Sequence, residues 1–306
     1  MRELTMLIEH AVVPFAGCFA AGPEKQNTTP LVFVGLPDDS QSSFRRGSAR
    51  GPQRIRLAYD GNGYNATTES GVDLTNMVAD LGDLPSKNSW ELTARSYQEF
   101  AAWLFQIRKI PFFAGGDHAV TVPIIAALAE IGEPVHLIQI DAHPDLYWDY
   151  EGSRSSHACT ISRALEMSHV ASVTQLGIRT MNASQRPQFE RYRERIHMFF
   201  ARDLIGELPP LSHLPAGAPV YLTVDLDGFD PAFAPGVSHP VPGGLTPRQA
   251  LNFIQNANGK LVGMDVVEVN PDWDVNDQTA ILAARLLHEA MGFAAKQLLP
   301  KKFSNG

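Results

Sequence analysis

The sequence predicts a three-layer α/β/α fold with a mostly parallel central sheet. Short apolar runs rich in β-branched residues indicate buried strands at 31–35, 110–114, 135–140, 220–224 and 261–267. Segments with helical spacing flank the second run, ELTARSYQEFAAWLFQIRK before it and VTVPIIAALAE after it. Strands and helices that alternate in this way are typical of parallel sheets covered on both faces.

A further helix is predicted near the C-terminus, within the segment NDQTAILAARLLHEAMGFAAKQ. Asn276 or Asp277 would cap its start, because short polar side chains accept hydrogen bonds from the first backbone N–H groups of a helix. Apolar residues recur at 281, 282, 286, 290 and 293, which gives the helix one apolar side. We therefore expect this helix to cover one face of the sheet.

The chain is predicted to form a single domain over residues 1–306. With 306 residues, 44% of them hydrophobic, it can bury a substantial core, and no repeat or long linker divides it. Residues 1–29 precede the first predicted strand. We expect them to be an N-terminal extension that packs at the pocket or at a subunit interface.

Charge and cysteine content restrict the class of protein. The 25 basic and 33 acidic residues give a net charge of −8 at pH 7, which argues against nucleic acid as a partner and leaves cationic small molecules as substrates. Two cysteines are too few for a disulfide scaffold, so we expect a reducing compartment. Without a signal-peptide pattern or an apolar run of roughly 20 residues, we predict a cytoplasmic protein with no membrane partner.

Polar side chains follow four of the predicted strands. Open parallel sheets bind their ligands beyond the carboxyl ends of the strands, so these side chains should meet at one edge. The residues concerned are His118, then Asp141, His143 and Asp145, then Asp225, Asp227 and Asp230, and finally Glu268. One such carboxylate pair is usually a solvated surface feature, but the coincidence of several segments favours a common site.

The spacing within these segments indicates metal ligands. Residues two apart on an extended chain face the same side, which applies to the three polar positions of DAHPD at 141–145 and to Asp225 with Asp227. Clustered carboxylates repel one another unless cations compensate them, and two divalent ions would do so. Oxygen-rich ligands without thiolate favour Mn²⁺ over a structural Zn²⁺. Asp230 precedes Pro231, which indicates a turn residue rather than a ligand.

These motifs together resemble the arginase/agmatinase (ureohydrolase) family. The resemblance runs from VFVGLPDDSQSSFRRGSARGPQRIR through GGDH, DAHPD, GIRT and DLDGFDPAFAPGVSHPVPGGLT to GMDVVEVNP. It implies that two manganese ions are bound and that Asp141 and Asp225 are shared between them. By the same resemblance His118 and Asp145 complete one metal site, and His143 and Asp227 complete the other.

The resemblance also implies a reaction, the hydrolysis of a guanidino compound to urea and an amine. A hydroxide between the two ions would attack the guanidinium carbon, and Asp145 would relay its proton to the leaving nitrogen. Glu268 would pair with the guanidinium of the substrate. His157 would exchange protons with solvent, although its surrounding sequence SRSSHACT departs from the His-Gly form common in agmatinases.

Two positions favour agmatine as the substrate, with putrescine and urea as products. Tyr147 and Asn182 stand where animal and many bacterial arginases carry residues that bind the amino acid head of arginine. Arginine is the second choice, because DAHPDLYWDYEG and APGVSHPVPGGL resemble plant arginases. Guanidinobutyrate and guanidine are the next candidate substrates after arginine. The sequence leaves open whether His239 borders the pocket.

Two other classes of protein are alternatives to a ureohydrolase. A non-catalytic homologue with a binding or regulatory role would usually have lost a metal ligand, and all six are present. A one-zinc deacetylase of arginase-like fold is disfavoured because His118 and Asp145 complete a second metal site. The resemblance further implies a homo-oligomer, either a trimer or a hexamer.

Overall fold

A computed structural model describes residues 15–19, 28–61 and 63–298. Its centre is one eight-stranded sheet in which every pair of neighbours is parallel, with the order β2-β1-β3-β8-β7-β4-β5-β6. The strands are β1 (Leu31–Leu36), β2 (Val78–Asp83), β3 (Ile110–Gly115), β4 (Val135–Ile140), β5 (Val170–Ile178), β6 (Ile196–Phe200), β7 (Pro219–Asp225) and β8 (Lys260–Val267). The predicted fold class is confirmed.

Helices cover both faces of the sheet. They are α1 (Gly51–Ala58), α2 (Trp90–Gln106), α3 (Thr121–Ala127), α4 (Thr160–Leu165), α5 (Arg186–Arg191), α6 (Pro247–Gln255) and α7 (Gln278–Leu298). Buried side chains of α1, α6 and α7 join one apolar core, and those of α2, α3 and α4 join a second core on the opposite face. The sheet between the two cores completes the three layers.

The C-terminal helix begins where the sequence predicts, but its cap differs. Helix α7 starts at Gln278, directly after Asp277. The carboxylate of Asp274 accepts hydrogen bonds from the first N–H groups of the helix. Its Oδ1 lies 3.0 Å from the backbone nitrogen of Thr279. Asp277 instead accepts hydrogen bonds from Arg54 of α1. The predicted capping role of Asp277 or Asn276 is therefore wrong, because an acid upstream reaches the free N–H groups.

The predicted N-terminal extension is described only at 15–19 and 28–29. There Phe15 is fully buried, and its ring packs against those of Phe33 and Tyr59. Phe19 forms a bridge to Val78 of β2. This short part therefore extends the core at the β1–β2 side of the sheet, and the rest of the predicted extension lies outside the described residues. Among the described helices, none has both the length and the apolar character to cross a membrane.

A buried ion pair fixes α1 to the end of β2. The guanidinium of Arg56 donates to both carboxylate oxygens of Asp80, at 2.8 and 3.0 Å, and to Asp83 at 2.6 Å. Arg56 is 8% exposed and Asp80 is 2% exposed. Removing one member of such a group leaves a buried charge without compensation, which is far more costly than losing an exposed pair.

We expect Arg56→Met to lower the free energy of unfolding by about 3–5 kcal/mol. Arg95→Met is the matched control, because its pair with Glu99 lies on the exposed side of α2, and it should cost less than about 1 kcal/mol. Chemical denaturation of both variants measures the difference. Equal losses would show that the buried group does not stabilise the α1–β2 junction.

Candidate active site

The sheet order explains how distant motifs meet. Strands β3, β8, β7 and β4 are consecutive neighbours, so their carboxyl ends form one continuous edge at the middle of the sheet. His118 follows β3, Asp225 ends β7 and Glu268 follows β8. The segment 141–145 follows β4. These four strand ends therefore bring the predicted ligand segments and Glu268 to one place, as expected for an open parallel sheet.

Two groups of side chains at this edge could each hold a metal ion. Within each group the candidate ligand atoms all lie within 4.8 Å of one another. The first group is His118, Asp141 and Asp145, and the second is Asp141, His143 and Asp227. Asp225 adjoins the first group, with its Oδ2 3.5 Å from Nδ1 of His118. The structure thus brings the six predicted ligands together, with Asp141 common to both groups.

His118 presents one nitrogen to this cluster. Its Nε2 lies 3.0 Å from the hydroxyl of Thr223, and that hydroxyl donates its own hydrogen to Asp265 at 2.6 Å. The hydroxyl can therefore only accept from the histidine, so Nε2 carries hydrogen and Nδ1 faces the cluster. Nδ1 is buried and has no hydrogen-bond partner, although carboxylate oxygens of Asp145 and Asp141 lie 3.0 and 3.1 Å away.

Backbone N–H groups orient the carboxylates. Oδ1 of Asp141 accepts from the backbone of His143, Oδ1 of Asp225 from that of Asp227, and Oδ1 of Asp227 from that of Ala142. The other oxygens face histidines, as Oδ2 of Asp227 does at 2.9 Å from Nδ1 of His143. Asp225 and Asp227 therefore each have one oxygen fixed by the backbone and one directed into the cluster, whereas Oδ2 of Asp141 also accepts from Nε2 of Gln139 at 2.7 Å.

The electrostatics of the cluster favour bound cations. Burial, reinforced by the charges of Asp227 and Asp141, raises the pKa of Asp225 well above its usual range. Burial and the charge of Asp141 raise the pKa of Asp145 to about 6. Divalent ions would reverse this tendency by stabilising the ionised carboxylates. Four carboxylates and two imidazoles without thiolate, together with the unpaired Nδ1 of His118, fit such ions.

Glu268 lies beside the cluster with one oxygen free. Its backbone φ of 64° is unusual for a residue other than glycine, and the strained turn places the side chain at the strand end. Oε1 accepts from the backbone of His118 at 3.1 Å and from Nδ1 of His157 at 2.8 Å. Oε2 is buried and has no partner. This oxygen is available to a cationic ligand in the adjoining cavity.

Glu268 and His157 stabilise each other as an ion pair. Burial would raise the pKa of Glu268, but the hydrogen bond and charge of His157 outweigh burial and lower it. Burial likewise would lower the pKa of His157, but Glu268 outweighs it and raises the pKa to about 9. An ionised Glu268 is the form that a guanidinium would bind.

A cavity of about 210 Å³ opens beside these groups. Tyr147 and Asn182, the two predicted specificity residues, line it, and the amide of Asn182 donates to the hydroxyl of Tyr147 at 2.6 Å. The ring of Tyr150 packs edge-on against Tyr147 with centroids 5.0 Å apart. Among the described residues that line the cavity there is no arginine or lysine. The part of the cavity lined by Tyr147, Tyr150 and Asn182 is thus polar and aromatic, without lysine or arginine.

His239 also lines this cavity, a position that the sequence left open. Its ring centroid lies 5.1 Å from that of His157 and 5.9 Å from that of His143. Sequence reasoning missed the lining residues Ser43, Tyr150, Ala158, Thr180 and Gln185. None of these belongs to a motif with ligand spacing, so only the folded arrangement of the loops identifies them.

Asp230 has the turn role that its sequence predicts. Its carboxylate accepts hydrogen bonds from the backbone of Ala232 at 3.0 Å and of Gly243 at 2.7 Å. These bonds join the segment after β7 to the loop before α6. Asp230 does not line the cavity and belongs to neither candidate metal group among the described residues.

Comparison with known proteins identifies the class of protein. Residues 29–292 match the Arginase family, which covers most of the chain. The chain therefore belongs to the arginase family and is a ureohydrolase, an enzyme that hydrolyses guanidino compounds. The resemblance inferred from the sequence is confirmed, and the six clustered side chains are candidates for the metal site of this metal-dependent family.

Individual relatives differ in their substrates. The mitochondrial arginase of Medicago truncatula is 37% identical over 271 residues, covering 84% of this chain and 79% of the relative. The mitochondrial agmatinase of Gallus gallus is 34% identical over 270 residues, covering 85% and 76%. The solved agmatine ureohydrolase of Thermoplasma volcanium aligns with a TM-score of 0.80 and 29% identity, over 95% and 98% of the two chains. Similarity thus extends to both substrate types.

Proposed function

We propose that this enzyme hydrolyses agmatine to putrescine and urea at a centre of two manganese ions. The observation that carries the substrate assignment is the absence of lysine and arginine among the described residues that line the cavity. Agmatine lacks the α-carboxylate of arginine. A carboxylate entering this cavity would lose hydration without gaining a lysine or arginine partner among the described lining residues, and the imidazole of His157 is already paired with Glu268. The aromatic rings of Tyr147 and Tyr150 suit the ammonium end of agmatine through cation–π attraction.

The residues of the site have different roles in the proposed reaction. Two divalent ions held by the six ligands would supply an activated water and stabilise developing charge. The free Oε2 of Glu268 accepts a hydrogen bond from the substrate guanidinium and orients its carbon toward the cluster. Asp145 lines the cavity, so its carboxylate suits receipt of a proton from the activated water and its transfer to the leaving nitrogen. His157 exchanges that proton with solvent.

We expect kcat/KM for agmatine to exceed that for arginine by about tenfold to a hundredfold. The range follows from a desolvation penalty of roughly 1–3 kcal/mol for an unsatisfied polar group, at 1.36 kcal/mol per decade. Urea release from both compounds under identical conditions measures it. Guanidinobutyrate and guanidine belong in the same assay, because rapid turnover of either would replace agmatine as the proposed substrate.

Arginine is the second candidate, favoured by the plant arginases among the relatives. Asn182→Lys distinguishes the two assignments, because it adds a positive charge where the cavity has none. If agmatine is the natural substrate, this variant should gain activity on arginine and lose activity on agmatine. Equal or faster turnover of arginine by the unmodified enzyme would assign it as an arginase.

Activity should require divalent metal. We expect chelation to abolish urea release, Mn²⁺ to restore it, and elemental analysis of the restored enzyme to give two manganese ions per chain. Other divalent ions tested in parallel determine whether manganese is preferred, because ligand chemistry alone does not fix the choice. Full activity with one ion per chain would contradict a binuclear mechanism.

A further inference from the structure

The loop at residues 37–47 lies over the candidate active site. Asp117 anchors it, since its carboxylate accepts from the backbone of Gln41 at 2.9 Å and its own N–H donates to the carbonyl of Asp38 at 3.0 Å. A Cβ on Gly116 would lie 1.9 Å from that carbonyl. Gly116 therefore allows this loop to approach the strand end closely.

Ser43 projects from this loop onto His157. Its hydroxyl lies 2.9 Å from Nε2 of the imidazole, and its backbone N–H is 3.3 Å from the same nitrogen. The other ring nitrogen, Nδ1, bonds to Glu268. Both nitrogens of His157 are therefore held by the protein, one by a carboxylate and one by Ser43.

The two residues differ in their access to solvent. His157 is only 9% exposed, whereas Ser43 is exposed at the mouth of the cavity. A hydroxyl both donates and accepts, so it can donate to Nε2 of a neutral imidazole and accept from Nε2–H of a protonated one. The hydroxyl of Ser43 can thus keep the ring in one orientation in both protonation states, whereas the backbone N–H can donate to Nε2 only when that nitrogen is unprotonated.

We propose that Ser43 is a positioning residue for His157. It holds the imidazole against Glu268 and keeps Nε2 at the solvent-facing mouth, which is the arrangement that proton exchange requires. This inference rests on the proposed function, in which His157 exchanges protons with solvent. A neighbouring residue offers a matched control, because the hydroxyl of Ser42 donates to the carbonyl of Phe44 instead of contacting His157.

A double-mutant cycle tests whether Ser43 acts through His157. On the manganese-loaded enzyme, Ser43→Ala should reduce kcat about threefold to tenfold with KM and metal content unchanged, as expected for loss of one hydrogen bond. Adding Ser43→Ala to His157→Ala should cause no further loss. Ser43→Thr should retain most of the rate, and Ser42→Ala should match the unmodified enzyme.

Thermal unfolding of the unmodified enzyme, the two single variants and the double variant gives a measurement that is independent of turnover. The loss in Tm of the double variant should be smaller than the sum of the single losses, because both single changes remove the same contact. The proposal would be overturned if the effects of Ser43→Ala and His157→Ala on kcat multiplied in the double variant. It would also be overturned if Ser42→Ala lowered kcat as much as Ser43→Ala does. If no guanidino compound is hydrolysed, the proposed function fails, but the Tm values still test the contact between Ser43 and His157. Additive changes in Tm would refute that contact.

Discussion

Asp225→Ala is expected to abolish activity and metal binding together. The carboxylate of Asp225 reaches the His118 end of the cluster, and the family resemblance predicts that it binds both ions. We expect fewer than one ion per chain and a loss in kcat/KM of about a thousandfold or more, since a metal centre supplies several kcal/mol of transition-state stabilisation. Elemental analysis and urea release on the same preparation measure both effects.

His157→Ala is the comparison for this experiment. The imidazole contacts Glu268 and belongs to neither candidate metal group. This variant should keep two ions and lose only part of its rate, because small buffers can replace an imidazole in proton exchange. An empty metal site in His157→Ala would contradict its assignment as a proton shuttle.

The stability of metal-free protein gives an independent test of Asp225. Burial and like charges oppose its ionisation, so its removal should relieve the cost of burying this carboxyl group. Metal-free Asp225→Ala should therefore melt at or above the Tm of the metal-free parent, whereas added Mn²⁺ should raise the Tm of the parent alone. A large loss of Tm without metal would indicate a structural role instead.

Five strands, β1, β3, β4, β7 and β8, could be predicted from sequence because they are buried on both faces. Strands such as β1 and β3 are continuous apolar runs, and that pattern is typical of a parallel sheet covered on both faces. The sequence does not predict the edge strands β2 and β6, or strand β5 beside β6. Asp80 and Asp83 in β2 bind Arg56, and Gln175 in β5 donates to a side chain of β4, so polar residues with specific partners interrupt the apolar pattern.

The candidate metal ligands could be predicted because each follows a strand at regular spacing. The groups that orient them could not, because their roles depend on contacts between distant segments. Asp265 lies within the apolar run of β8 and is identified only by its bond to Thr223, which fixes His118. Ser43 is more than a hundred residues from His157 in the chain. No local pattern encodes such contacts.

Glu268→Gln should weaken substrate binding without removing the metals. The substitution preserves the size of the side chain but removes the negative charge that a guanidinium would bind, and the free Oε2 is the oxygen concerned. Truncating one partner of a buried charge pair costs 2–5 kcal/mol, so kcat/KM should fall by about thirtyfold to several thousandfold. Because the pair already forms in the enzyme–substrate complex, much of the loss should be an increase in KM.

A second buried glutamate provides the matched control for this change. Glu289 on α7 is fully buried and pairs with Arg285 at 2.9 Å, and it does not line the cavity. Glu289→Gln should lower Tm while leaving KM unchanged, whereas Glu268→Gln should raise KM while retaining two ions per chain. Loss of metal from Glu268→Gln would mean that the bond from its Oε1 to the backbone of His118 maintains the metal site. An unchanged KM with full metal content would exclude Glu268 as the guanidinium-binding residue.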